Sequence, residues 1–426
     1  MARRSWRLFG LLLTAASFAA RVEAGEPLSS DRPAVYSSTP AVPGAAWAPG
    51  LGAALDGAFG DALDGAFGAA LDDAFGAARD GLFDGARRTA RDGFSDDSDP
   101  IERRWSLHLD NDLFAFTRND RDYTGGIAFT LSGDDVRNYR WGLTKPLGWI
   151  DDKLGVGGRL GLDAQTTPAL QVGLLLFTPQ DLHAEEPVTD DRPYASLLYL
   201  SSSRLSHAPE ENVAIQSTLT VGLLGLPLAA QIHRGVHALF QDQEPMGYGH
   251  QISAGGEPTL RYAVSRYQLL AAGRAGPHPF AIRFDTEASV GYLTETNAEI
   301  AFRWGNTGVP WWESSTESGD YAGQPVVTGR RHPSRTDRTT FQLSGGVKLR
   351  ARLYNSFIQG QFRDSDVAYS SSEVDHLLLE GWLGIDVVFK NNLAVSYILR
   401  RQTPEIETGR GARAFTWADL SIAKRF

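Results

Sequence analysis

The side chains that could do chemistry in this sequence gather in three short stretches. The first is Asp110-Asn111-Asp112 together with Asp122-Tyr123-Thr124-Gly125-Gly126. The second is Asp190-Asp191-Arg192-Pro193-Tyr194, and the third holds His233, His237, Glu244, Gln251 and Glu257. Carboxylates and amides are hard oxygen donors suited to a cation such as calcium, and a histidine can act as a general base on water. In an extended chain Asp110 and Asp112 share one face and Asn111 takes the other, so a carboxylate could hold a cation while Asn111 positions a substrate. The same three residues also serve simply to end a strand. Arg192 has an equally plain structural use, paired with a carboxylate inside the fold.

Between Ala229 and Gln241, Ile232, Val236, Leu239 and Phe240 recur at helical spacing, which puts His233 and His237 one turn apart on a common face. One of them could be a base. The pair could ligate a transition metal, although neither a third ligand nor a metalloprotease-type Glu adjoins them. Both could equally face solvent on an amphipathic loop helix.

The elements that must position these residues show a period of two. From Arg104 onward Trp105, Leu107 and Leu109 alternate with Ser106, His108 and Asp110, and Ile127, Phe129 and Leu131 with Ala128, Thr130 and Ser132. Such alternation marks half-buried strands. It returns at Leu170–Phe177, Tyr194–Leu205, Val213–Leu223, Thr259–Leu269, Phe280–Tyr292, Glu299–Trp304, Thr340–Leu353, Leu377–Phe389, Asn392–Leu399 and Phe415–Phe426. Tyr354–Phe362 merges with its predecessor or forms a turn, because single-chain bacterial barrels carry even strand numbers. The pattern predicts an all-β, antiparallel transmembrane β-barrel of about 12 strands over residues 101–426, with a short helix in an extracellular loop. A soluble β-sandwich also uses alternating strands. It has no reason, however, to end in alternating apolar positions and a terminal Phe426, which resembles the signal read by the barrel assembly machinery.

Other features bound the class. Arg3, Arg4 and Arg7 precede an apolar stretch from Leu8 to Ala20 and a small-residue pattern ending at Ala24, which reads as a signal peptide over residues 1–24. No later apolar run reaches the roughly 18 residues that a helix needs to cross a bilayer. Mean hydropathy is −0.25, as expected when outward apolar residues alternate with inward polar ones. The absence of cysteine excludes disulfides and thiolate metal sites. A net charge of −10 without clustered Lys and Arg argues against a nucleic-acid partner and suits divalent cations near acidic loops. Residues 25–100 are rich in Pro, Ala, Gly and Asp and repeat an eight-residue unit from Ala54, Ala62 and Ala70. Leu55, Phe59, Leu63, Phe67, Leu71 and Phe75 recur every four residues, so each step drifts about 40° around a helix and no straight face forms. This segment is read as a disordered periplasmic extension.

Strand parity from a periplasmic N-terminus puts the turnarounds near 113–123, 178–193 and 225–256 at the outer face, where all the unusual residues fall. It also puts the long stretch 307–338 on the periplasmic side, where turns are usually short.

Taken in order, Asn111-Asp112, Asp122-Tyr123-Thr124-Gly125-Gly126, Phe177-Thr178-Pro179 with Asp191-Arg192-Pro193-Tyr194, and His237 through Gln251 resemble the LpxR family of lipid A 3'-O-deacylases. The resemblance runs from about Trp105 to Phe426. It implies a twelve-stranded barrel of the outer membrane that uses calcium and hydrolyses the 3'-linked acyl ester of lipid A, with lipopolysaccharide and outer-membrane lipids as partners. It further implies His237, Asn111 and Thr124 as catalytic residues, Asn111, Arg192 and Gln251 as substrate contacts, and Asp112 as a metal ligand. His237 is preferred to His233 because its spacing to Gln251 fits the family pattern. Family members can carry an acidic residue six positions after the histidine; here Gln243 stands there, and a shift of one residue brings Glu244 to that role. The loop after Pro179 reads His183-Ala184-Glu185-Glu186, where a relative can present basic residues to the sugar-phosphate head group. Two other functions fit the same barrel. A phospholipase-like esterase needs a serine nucleophile, for which no G-x-S-x-G motif is present. A passive channel or structural barrel needs an open lumen or no chemistry at all.

Overall fold

A computed structural model describes residues 104–115, 121–139, 142–156, 166–208, 212–240, 245–313, 320–323, 339–390 and 393–425, without the side chains of 113, 138, 235–240 and 425. The signal peptide and the repeats of 25–100 lie outside the described residues. Twelve antiparallel strands close into a barrel. They are β1 (Arg104–Asn111), β2 (Asp122–Ser132), β3 (Thr167–Thr178), β4 (Ala195–Ala208), β5 (Val213–Leu224), β6 (Glu257–Ala275), β7 (His278–Gly291), β8 (Leu293–Gly305), β9 (Thr340–Asn355), β10 (Leu377–Val388), β11 (Leu393–Gln402) and β12 (Phe415–Arg425). Each strand pairs with its sequence neighbours, and β1 closes on β12 from Arg104↔Arg425 to Asn111↔Ala418. No described helix is long and apolar enough to cross a membrane.

All twelve expected strands are present, and the two that most exceed their expected spans do so for physical reasons. β8 begins at Leu293 rather than Glu299, because its outward residues there, Thr294, Thr296 and Ala298, give little apolar contrast with Glu295 and Asn297. β6 runs on to Ala275 past a bulge at Leu269/Ala271 that breaks the alternation. The Tyr354–Phe362 stretch divides between the end of β9 and the one-turn helix α3 (Ser356–Gln359).

The alternation separates two environments. Ile127, Phe129, Leu260, Val290, Ile300 and Leu349 are exposed on the outer face, forming the apolar belt of a membrane barrel. The inner face is polar, buried and filled. Arg350 pairs with Glu295, Asp320 and Glu380, Arg400 with Glu380, Lys348 with Glu299 and Asp320, and Arg261 with Glu287. Charges so deep persist only when paired and hydrogen-bonded.

The connection from β8 to β9 is the long one that sits awkwardly as a turn. Its described part folds into the lumen. Trp311 and Trp312 pack with His207 and Tyr267 near the end where β1 begins and β12 ends, hereafter the terminal end. Asp320 and Tyr321 reach the opposite end, where Asp320 accepts from Lys348 Nζ at 2.9 Å and Tyr321 packs among Tyr123, Phe177 and Trp417.

Two helices flank the wall instead of filling it. α1 (Thr144–Leu154), in the β2–β3 connection at the terminal end, is absent from the sequence expectation because Pro146 and Gly148 mask its helical pattern. α2 (Pro227–Phe240), in the β5–β6 connection at the other end, is the expected loop helix.

Candidate active site on the outer wall

The site end is built from the β1–β2, β3–β4 and β5–β6 connections that carry the three sequence stretches, joined by two others, 356–376 and 403–414. β1 stops at Asn111, so Asp112 lies beyond the strand rather than on a face shared with Asp110. Asp110 pairs with Gly126, and its carboxylate accepts from Tyr123 Oη at 2.8 Å. Asp112 is buried and accepts from the Arg121 backbone N–H at 2.6 Å.

A β-bulge between Asp122 and Gly125 then decides which side chains point where. It requires φ of 69° at Asp122 and 155° at Gly125. The extra residue turns Tyr123 into the lumen, where it is fully buried against Phe177 and Trp417. Thr124 is thereby left against Thr178, their hydroxyl oxygens 2.5 Å apart. Because Phe177 faces the lumen, Thr178 belongs to the outer face of β3. Asn111 Nδ2 donates to the Thr124 carbonyl oxygen at 2.7 Å. Asn111, Thr124 and Thr178 thus form one hydrogen-bonded polar group at the rim. The sequence offers Thr178 only within the motif Phe177-Thr178-Pro179; its signal is the alternation that places it outward after Phe177.

α2 lies along the same outer wall. Its Ala229 and Ala230 are buried against Leu174, Leu176 and Leu198 of β3 and β4, together with Leu182, Tyr194 and Tyr248. His233 does not face solvent: it is 3% exposed, and its Nδ1 is 3.0 Å from Tyr248 Oη. Tyr248 in turn packs on Tyr194 with ring centroids 4.7 Å apart. His233 therefore fixes the helix to the 245–252 loop. His237 follows one turn later on α2; its side chain lies outside the described residues, as does all of Glu244. Gln251 is buried in that loop and accepts from Ser196 Oγ at 2.9 Å, on the outer face of β4.

Arg192 is on the other side of the wall. It is buried between the rings of Phe177 and Phe415, pairs with Glu405, and lies 3.6 Å from Asp122. Burial alone would lower the guanidinium pKa, but Glu405 and Asp122 outweigh it and hold it above the ordinary value. Burial would likewise raise the Glu405 carboxyl, yet Arg192 and Arg352, with a bond from Tyr321, bring it down to about 2. Asp191 completes this cluster by accepting from the backbone N–H groups of Gln180 and Arg192 and pairing with Arg413 at 2.7 Å. The structure thus brings Asn111 and Thr124 together, with Asp112 next to Asn111 in the chain and bonded to the Arg121 backbone, sets Gln251 two strands away on the same face, and separates Arg192 from them by the wall.

Among the described residues no three His, Asp or Glu side chains converge as a metal site. The oxygen donors of this rim segment are nevertheless all hard: the Asp112 carboxylate, the Asn111 amide and the Thr124 and Thr178 hydroxyls. That set suits calcium and not a soft transition metal.

A closed barrel with an apolar outer belt, a packed polar interior and a polar group on its outer rim is an outer-membrane β-barrel protein. The chain belongs to the LpxR family of outer membrane proteins, whose sequence model matches residues 82–426 and so reaches back before β1. LpxR from Salmonella typhimurium shares the fold, with a TM-score of 0.56 at 15% identity over 76% of this chain and 100% of that one. The translocator domain of the autotransporter NalP from Neisseria meningitidis aligns with a TM-score of 0.31 at 10% identity over 82% of this chain and 97% of that one. No curated protein matches the sequence.

Proposed function

We propose that the protein is a calcium-dependent lipid A deacylase that hydrolyses the 3'-linked acyl ester of lipopolysaccharide in the outer leaflet. The observation that carries this reading is the polar group of Asn111, Thr124 and Thr178 on the outer, lipid-side face of the rim, beside the helix that bears His237. An esterase acting on a membrane lipid needs its polar groups on that face, where an acyl chain can stay in hydrocarbon while its ester meets the wall. Family membership supports the same substrate.

In this mechanism the terminal end is periplasmic and the site end extracellular. His237 takes a proton from water as the hydroxyl adds to the ester carbonyl carbon. The bond from that carbon to the sugar 3'-oxygen then breaks, and the proton passes to the departing oxygen, giving a free fatty acid and a 3'-hydroxyl. Asn111 orients the ester from a position fixed by its bond to Thr124, and Gln251 holds the polar part of the lipid further along the wall. Bound by Asp112 and Glu244, calcium would supply Lewis-acid polarisation of the carbonyl. Arg192 keeps the motif Asp122–Gly126 in place through Asp122 and Glu405.

A channel is disfavoured by the filled lumen. The deciding test is a mass spectrum of lipid A from cells expressing the wild-type chain or His237→Ala, with calcium present and chelated. Loss of a 3'-acyl group, or of an acyloxyacyl pair, only with intact His237 and calcium supports the reading. Unchanged lipid A in every sample overturns it.

A further inference from the structure

The outer wall carries a second polar patch, far from the first. Near the terminal end, Arg204 of β4, Ser217 of β5 and Tyr262 of β6 alternate with lumen-facing residues such as Ser203 and Thr218, whose hydroxyl oxygens meet at 2.7 Å. They therefore point outward, where neighbouring wall positions are apolar. All three converge on one carboxylate of α1. Asp151 accepts from Ser217 Oγ at 2.7 Å, from Tyr262 Oη at 2.8 Å and from Arg204 at 3.1 Å. The segment is pinned at its start as well, by the Leu143 N–H donating to the outward hydroxyl of Ser202 at 2.9 Å. Leu147, one turn before Asp151, is fully buried against the barrel.

With one face clamped, the opposite face is fixed. Lys145, Trp149 and Lys153 are spaced four residues apart and form an exposed stripe; Trp149 and Leu154 are each 64% exposed. A large, flat, exposed Trp between two lysines is poorly matched to bulk water. It is well matched to a bilayer interface, where an indole sits at head-group depth and lysine amines reach phosphates. The stripe is also continuous with the lipid-facing wall, since Leu260, exposed on the outer face of β6, lies two residues from Tyr262 on the same side.

We infer that α1 is an in-plane membrane helix, clamped to the barrel by Asp151 and seated by Lys145, Trp149 and Lys153 on phospholipid head groups of the leaflet at the terminal end. The patch under it is then never exposed to hydrocarbon, which would leave Arg204 and Ser217 without partners. The occupant is a phospholipid surface and not a protein, because the stripe is narrow and flanked by the lipid belt.

The chain has no cysteine, so single labels can be placed without background. Full-length Trp149→Cys, carrying an environment-sensitive fluorophore, is reconstituted in phosphatidylcholine–phosphatidylglycerol vesicles. The vesicles contain lipids with a quencher either near the head group or near the acyl terminus. Leu260→Cys serves as the wall control, and heat-modifiable gel mobility verifies that both are folded. The expected result at position 149 is a blue-shifted emission quenched roughly twofold more by the shallow than by the deep lipid. Three outcomes overturn the inference: water-like emission quenched by iodide and not by lipid, preferential quenching by the deep label, and protection from both iodide and lipid, which would mean a protein covers α1. In Asp151→Ala the clamp is lost, and the shallow preference at 149 should fall towards equal quenching by both lipids. A profile unchanged by that substitution would overturn the role of Asp151.

Discussion

Asn111 donates its side-chain amide to the carbonyl oxygen of Thr124 at 2.7 Å, joining the last residue of β1 to the bulge that opens β2. The bond spans 13 residues of sequence and fixes the amide at the rim. In Asn111→Ala deacylation should fall about 100- to 1000-fold, the usual loss for a positioned polar group, while the barrel loses only about 1 kcal/mol. Lipid A mass spectra beside gel mobility of the folded barrel measure the two effects separately. An equal loss of folded protein would reassign Asn111 to structure alone.

Gly125 should be as sensitive as any side chain in the site. Its φ of 155° disfavours other residues, and an added Cβ would come within 2.5 Å of the Asp110 carbonyl oxygen and 3.3 Å of Asn111 Nδ2. Gly125→Ala should therefore abolish activity and destabilise the barrel by about 1–3 kcal/mol. Gly249→Ala, in open space on the neighbouring loop, should change neither. Both variants can be compared by urea unfolding in detergent and by lipid A deacylation.

Calcium should be required but bound weakly. A donor set with few carboxylates places half-maximal activity at roughly 0.1–1 mM calcium. Asp112→Asn should shift that midpoint upward more than tenfold with a smaller effect at saturating calcium. A calcium titration of lipid A hydrolysis after chelation reads it directly, and an unchanged midpoint would remove Asp112 from the ligand set.

The Arg192–Glu405 pair predicts how the site end responds to acid. The Glu405 carboxyl is held at about 2, below its ordinary 4.5, so it is ionised more readily in the folded barrel than in the unfolded chain. Its contribution is complete above about 4.5 and drains as pH falls through about 2. Glu405→Gln should flatten that part of the stability profile. It should also cost about 3–5 kcal/mol at neutral pH, because Arg192 and Arg352 would stay buried without their shared carboxylate. Denaturant unfolding at a series of acid pH values tests both statements.

The filled interior predicts electrical silence. Planar bilayers containing the full chain should show no steady conductance, since Arg350, Lys348, Asp320 and Glu380 interlock across the lumen. Stable open channels would require that network to be displaced.

The strands and their number were legible because a period of two survives wherever one face meets lipid and the other a polar interior. The alternation faded at Thr294–Ala298 and at the Leu269 bulge, where small or polar outward residues or an extra residue hid it. The motif Asp122–Gly126 was legible as a unit, but the bulge that sends Tyr123 inward and leaves Thr124 against Thr178 was not, since phase shifts depend on cross-strand partners. His233 and His237 looked equivalent on the helix. Tyr248, from a loop fifteen residues on, is what buries His233. Arg192 was legible as a buried partner, but Glu405, more than 200 residues away, could not be paired with it by spacing. α1 was hidden by Pro146 and Gly148, and its anchor by the fact that Asp151 resembles any other solvent-facing acid until the outward Arg204, Ser217 and Tyr262 are in view.

The β8–β9 connection sets this barrel apart from a simple partition. A closed wall ordinarily insulates its two mouths from each other, but this one takes in parts of a single connection at both. Its described pieces are anchored at both: Trp311 and Trp312 pack with His207 at one mouth, and Tyr321 packs against Tyr123, the residue next to Thr124, at the other. The packing behind Thr124 is thus supplied by a connection that is also anchored at the opposite mouth, and shortening that connection should loosen the rim it reaches.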